Sequence, residues 1–191
     1  MLFRSPMAKR LGLIQEIDKL VVAEVLKNIG AGRYGAIQIA VNLFPSSVQD
    51  AGFVDWLCET LREVPIAARQ IAFEVSEYGA LEDMDALRAM VLRVRDVGGK
   101  FGIDHFGRGF SSFGYLSTLK IDYLKIDGSY VRGIAQNKDN QFLVDSVTKI
   151  ARGLDLQVVA ESVETEEEWS VLTVIGLNGV QGYGVGMPKE I

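Results

Sequence analysis

Six short apolar runs in this chain each end in an acid, an amide or a lysine. They read AIQIAVNLF (36–44), QIAFEVSE (70–77), KFGIDHFG (100–107), DYLKID (122–127), QVVAESVE (157–164) and GVQGY (179–183). The polar residues at their ends are Asn42, Glu74, Asp104, Lys125 with Asp127, Glu161 and Gln181. Carboxylates and amides in this number make an oxygen-rich set of the kind that divalent cations prefer. Glu74, between Phe73 and Val75, and Glu161, after Val158-Val159-Ala160, carry the most weight. A carboxylate in an apolar strand is costly unless it is paired or metal-bound. Asn42, before Leu43-Phe44-Pro45, serves equally well as the start of a turn. Lys125 and Asp127 could likewise be a structural ion pair.

Elements must bring these residues together. Helical spacing separates the runs, so the strands should be parallel, buried on both faces, with their polar ends on one rim, as in a β/α barrel. Apolar stripes mark the helices: Ile17, Leu20, Val21, Val25 and Ile29; Phe53, Val54, Leu57 and Leu61; Met84, Leu87, Val91 and Val94, ended by Gly98-Gly99; and Leu143, Val147, Ile150, Ala151 and Leu154. Thr165 and Glu168 form a capping box before Trp169, Leu172 and Ile175. All five stripes are expected to face the core, and Glu166, Glu167 and Glu168 to be a solvated helix N-terminus favoured by the dipole. A full (β/α)₈ barrel needs eight strands. An open six-stranded doubly wound sheet is the alternative, but its site would gather at one switch point. The expected fold is therefore α/β: a modified TIM-type (β/α)₈ barrel, N-terminally truncated so that about six strands remain, in a single domain over 1–191. Leu2-Phe3-Arg4-Ser5 has the sequence of a ligated adapter, so residues 1–5 are expected to be foreign and the natural chain to extend upstream.

With 191 residues the chain is long enough to bury a substantial core, and 48% apolar with 24% charged residues is ordinary for a globular domain. The net charge of −5 without a basic run argues against a nucleic-acid polymer as partner. A small anionic ligand fits if cations offset the carboxylates. No apolar run is long enough to span a bilayer. The one cysteine, Cys58, lies in a helical stripe and reads as a packed thiol in a reducing compartment.

Five segments in order resemble the EAL domain family: AVNLFPSSVQD (40–50), FEVSEYGALED (73–83), IDHFGRGFSSFGYLSTLKIDYLKIDGSYVRGI (103–134), VVAESVET (158–165) and GVQGY (179–183). The resemblance covers the chain from about Met7 to Pro188. It implies a modified eight-stranded barrel that binds bacterial cyclic di-GMP and, in active members, hydrolyses it to linear pGpG with Mg²⁺ or Mn²⁺. It also implies that Asn42, Glu74 and Asp104 are metal ligands, with the residue after Asp104 completing a pair that holds two cations. Lys125 would position the attacking water, beside its acidic neighbour Asp127, and Glu161 would stand at the catalytic centre. Glu164 and Gln181 would line the site, and Glu77 would brace a flexible loop at 105–112. Gly107 and Gly109 in that loop are only a weak phosphate-binding signal.

The chain departs from the family at His105, where active members have a second aspartate. An imidazole brings one nitrogen and no fixed negative charge, so a second Mg²⁺ should be held weakly, although manganese or zinc would accept the nitrogen. Arg108 adds positive charge nearby. DHFGRGF, YLKIDGSYVRGI and NKDNQF (137–142) are similar to the degenerate LapD-type receptor branch, which binds cyclic di-GMP without hydrolysing it. The leading expectation is therefore a cyclic di-GMP receptor with weakened or absent hydrolysis. The second is an active metal-dependent phosphodiesterase producing pGpG. A third, outside the family, is a Mg²⁺ barrel enzyme using Lys125 as a proton-transfer base. The resemblance further implies a cytoplasmic domain, other signalling domains upstream, a full-length protein anchored in the inner membrane, and pairing as a homodimer.

Overall fold

The computed structural model describes residues 5–108 and 113–188. Of residues 1–5, expected to be foreign, 1–4 lie outside the described residues, as does Gly109. The elements run α1 (Ser5–Arg10), α2 (Ile14–Gly30), β1 (Ile39–Asn42), α3 (Pro45–Val48), α4 (Ala51–Glu63), α5 (Pro65–Ala68), β2 (Ile71–Ser76), α6 (Glu77–Glu82), α7 (Met84–Asp96) and β3 (Lys100–Phe106). After a 3₁₀ turn at Phe113–Ser117 follow β4 (Tyr123–Ile126), α8 (Gly128–Val131), α9 (Lys138–Gly153), β5 (Gln157–Ala160), α10 (Glu166–Ile175) and β6 (Gly179–Val180). All six expected strands are present, shorter than the apolar runs that encode them. The chain divides into two compact units, one of residues up to Val75 with Gly79–Phe101, the other of Ser76–Tyr78 with Gly102 onward.

In the first unit β1 and β2 pair in parallel, Ile39 with Ile71 through Asn42 with Glu74. Helix α4 buries Phe53, Val54, Leu57, Cys58 and Leu61, the expected stripe with the thiol inside it. Burial pushes the Cys58 thiol up, as befits a packed, unreactive group. Asp83 caps α7 by accepting the backbone N–H of Ala86, and α7 buries Leu87, Met90, Val91 and Val94, with Met84 only half-buried. Helix α2 departs from expectation. It buries Ile14, Asp18, Val22, Leu26 and Ile29, while Leu20 is 71% exposed and Val21 44%. Apolar residues lie on two sides of this helix, and the buried side contains an acid that an apolar count passes over. Asp18 accepts the backbone N–H of Phe44 at 3.0 Å and so ties α2 to the segment that follows Asn42.

In the second unit β3, β4, β5 and β6 pair in parallel, each with the next. Gly102 stands opposite Tyr123, whose ring occupies the place of a side chain: a Cβ there would lie 2.5 Å from it. Helix α9 buries Val144, Val147, Thr148 and Ala151, whereas Ile150 of the expected stripe is exposed. The capping box of α10 is formed as expected, Thr165 and Glu168 each bonding the other's backbone N–H. Two expectations for α10 fail: Trp169 is 43% exposed, and Glu168, expected in solvent, is buried. Glu168 accepts backbone N–H groups from Gly133 at 2.7 Å, Glu164 at 2.8 Å and Thr165 at 3.2 Å. Its carboxylate thereby joins the segment after β4 to the segment after β5.

Candidate functional site

The site in the second unit starts from an irregularity in β3. Ile103 pairs with Leu124 and Phe106 with Ile126, so Asp104 and His105 together stand opposite Lys125 alone. This is the two-against-one arrangement of a β-bulge, and His105 has φ of 54°. Regular alternation would send neighbouring side chains to opposite faces. The bulge instead lets Asp104 and His105 reach the same cluster.

In that cluster the His105 Nδ1 lies 3.1 Å from Asp127 Oδ2 and 3.1 Å from Glu161 Oε2, and its Nε2 lies 3.6 Å from Asp104 Oδ2. Lys125 Nζ sits 3.2 Å from Glu161 Oε1 and 3.7 Å from Asp104 Oδ1. Arg108 Nε lies 3.4 Å from Asp127 Oδ2. Asp104, Lys125 and Asp127 are buried, while the His105 side chain is 46% exposed and so faces the opening. Asp127 is also the N-cap of α8, accepting the Ser129 backbone N–H at 2.9 Å.

Electrostatics separate the carboxyls. Burial and then the Asp104 charge push Glu161 up to about 7, with Lys125 and His105 pulling the other way. Burial also opposes ionisation of Asp127, but the hydroxyl and backbone N–H of Ser129, with Arg108 and His105, hold it below the ordinary carboxylate range. The donor set fits a divalent cation, since Asp104, His105 and Glu161 each offer a ligand atom within 4.8 Å of the others.

The other residues singled out from sequence fall in three places. Asn42 and Glu74 are register partners at the ends of β1 and β2 in the first unit, Asn42 exposed and Glu74 buried. Glu77 is buried and accepts the Gly107 backbone N–H and the Tyr115 hydroxyl, each at 3.0 Å. It therefore holds both described flanks of the 105–112 segment, whose residues 109–112 lie outside the described residues. Glu164 and Gln181 line a cleft of about 230 Å³ beside Glu161, together with Arg132, Ser162, Gly182 and Tyr183. Arg132 Nε lies 3.4 Å from Glu164 Oε1. Gln181 is fixed through its backbone, donating to Ala160 O and accepting from Val163 N. Sequence reasoning assigned no role to Arg132, Ser162 or Tyr183; each sits within a quoted segment or just after one of the polar strand ends.

Parallel β/α units with acidic strand ends define the class, and comparison with known proteins names the family. The EAL domain model matches residues 5–188. The chain belongs to the EAL domain family. It is 32% identical to the cyclic di-GMP phosphodiesterase PdeB of Shewanella oneidensis over 186 residues, which are 96% of this chain but 22% of that protein. The chain thus spans less than a quarter of that relative's length. Among solved structures it is similar to the PaMucR phosphodiesterase in complex with c-di-GMP (33% identity, TM-score 0.89, covering 96% of this chain and 81% of that one). Its fold also matches the S helix-GGDEF-EAL portion of Vibrio cholerae LapD bound to c-di-GMP (24% identity, TM-score 0.85, covering 93% and 43%). The expected fold, a TIM-like EAL barrel with six strands in this chain, therefore holds.

Proposed function

We propose that this chain, as a single EAL-type domain, binds cyclic di-GMP as a signalling receptor and hydrolyses it only weakly in Mg²⁺. The observation that carries the reading is His105, whose imidazole stands among Asp104, Asp127 and Glu161 where a carboxylate would complete a two-cation site. The ligand itself follows from relatives described as cyclic di-GMP phosphodiesterases and as a c-di-GMP complex, and from the cleft. There Tyr183 is 66% exposed and offers a ring on which a base can stack. Gln181 and Glu164 offer polar groups to base edges, and Arg132 in the cleft, with Lys125 in the neighbouring cluster, offsets phosphate charge. Asn42, Glu74, Asp104 and His105 are the proposed metal-ligating positions.

Bound divalent cations would supply Lewis-acid stabilisation of the phosphodiester charge. The chain's own residues do the rest. Lys125, held between Asp104 and Glu161, positions a water, and a Glu161 carboxyl poised near neutrality can take its proton. Glu77 keeps Gly107 and Tyr115 in place. The presence of Lys125, Glu161 and Asp104 favours the second reading, an active phosphodiesterase yielding pGpG.

Among the described residues no helix is long and apolar enough to cross a membrane. The proposed setting is a cytoplasmic domain with other signalling domains upstream, anchored at the inner membrane in the full-length protein and pairing as a homodimer. Single-turnover hydrolysis of cyclic di-GMP in saturating Mg²⁺ tests the central reading. Turnover far slower than in the PaMucR phosphodiesterase assayed alongside is expected, and comparable turnover would replace the receptor with the enzyme.

A further inference from the structure

The imidazole in the cluster is arranged as metal-binding imidazoles are. A ligating histidine commonly gives its other ring nitrogen to a carboxylate, which fixes the tautomer and aims the ring. Here Nδ1 lies 3.1 Å from both Asp127 Oδ2 and Glu161 Oε2, and Asp127 is itself immobilised by capping α8 through Ser129. Nε2 faces Asp104, 3.6 Å from Oδ2, and Asp104, His105 and Glu161 each offer a ligand atom within 4.8 Å of the others, with Lys125 Nζ against the remaining carboxylate oxygens. One nitrogen and two carboxylates are a poor match for Mg²⁺, which favours oxygen in octahedral array and gives up water reluctantly. They suit a borderline ion such as Zn²⁺ or Co²⁺, for which imidazole with carboxylate is an ordinary ligand set.

We infer that Asp104, His105 through Nε2, and Glu161 form a site selective for a Zn²⁺-class transition metal over Mg²⁺, with Asp127 as the carboxylate that orients the imidazole. The inference deepens the proposed reading of the site, but metal selection here does not require the dinucleotide. The bulge in β3 is what makes the site: it turns Asp104 and His105 to the same cluster.

The chain contains a single histidine, so its ring resonances report on this site alone. Metal-stripped ¹⁵N-labelled protein is titrated with Zn²⁺ and separately with Mg²⁺ while those resonances are followed, and affinities are read by calorimetry without nucleotide. One equivalent of Zn²⁺ should shift the Nε2 resonance, and millimolar Mg²⁺ should leave it in place. His105→Asp should weaken Zn²⁺ at least tenfold while strengthening Mg²⁺. Asp127→Asn should weaken Zn²⁺ by about tenfold with the fold intact by circular dichroism. His105→Asn, neutral and similar in size, guards against loss through misfolding. An Nε2 resonance unmoved by Zn²⁺, or Zn²⁺ affinity unchanged in a folded His105→Asn protein, would overturn the inference. Cyclic di-GMP binding is measured separately in chelator, so failure of the metal site and failure of the nucleotide reading give different results.

Discussion

Glu161 and Glu168 lie on either side of one short segment, both largely withdrawn from water, and their acidities move in opposite directions. Glu161 faces another carboxylate, Asp104, and is pushed up to about 7. Glu168 also loses hydration, but three backbone N–H donors outweigh that loss and hold it below the ordinary carboxylate range. The fold satisfies Glu168 and leaves Glu161 unsettled. A buried acid with a full set of backbone donors is part of the scaffold, whereas one crowded by like charge and offset by Lys125 is poised for a ligand or a proton. Glu168 serves the site at one remove, fixing Glu164 at the cleft and Gly133 next to Arg132.

The largest expected effect lies on the Glu161 side. Replacing His105 with Asp adds an oxygen donor and a negative charge beside Glu161. It should raise Mg²⁺-dependent turnover of cyclic di-GMP by roughly a hundredfold or more, with affinity little changed. A Glu168→Gln variant assayed in parallel should show no such gain. A similar gain there would erase the distinction.

Next comes stability. Glu168→Ala strands three N–H groups and should cost on the order of 3 kcal/mol in urea unfolding. Glu161→Gln should cost less than about 1 kcal/mol, because it relieves repulsion as well as removing a salt bridge. Equal losses would break the comparison.

The acidities predict opposite pH slopes in metal-free protein. Glu161 holds its proton more tightly when folded, so between its ordinary value of 4.5 and about 7 its contribution to stability declines as pH rises. Glu161→Gln should remove that decline, on the order of 2 kcal/mol over the window. Glu168 is the reverse: its stabilisation is present above the ordinary carboxylate range and is lost as pH falls through its lowered value. Chemical denaturation at a series of pH values in chelator reads both slopes.

The smallest effect concerns the segment between the two acids. Ser162 has φ of 59°, a left-handed conformation that a side chain disfavours. Ser162→Gly should stabilise by about 1 kcal/mol. Destabilisation instead would mean that the Ser162 side chain, packed over Gly128, matters more than the strain it carries.

Much of this was legible in the sequence. The strands were readable because each is an apolar run between helical patterns, and Phe53, Val54, Leu57 and Leu61 because one face of α4 is uniformly apolar. The buried face of α2 was not readable, because it includes Asp18, whose partner Phe44 is remote in sequence. Glu168 was misjudged for the same reason: its role depends on Gly133, which only the fold brings near. The β3 bulge leaves no local mark, since one extra residue does not interrupt the run from Lys100 to Phe106. Only pairing with β4 reveals that they share one cluster.

Binding of cyclic di-GMP by the cleft and cluster is read by calorimetry with cyclic di-GMP, linear pGpG and GTP on folded protein. Cyclic di-GMP should bind 1:1, at least tenfold tighter than pGpG or GTP, and more weakly to Arg132→Ala. No heat with cyclic di-GMP, or equal affinity for all three, would rule out a cyclic di-GMP site here.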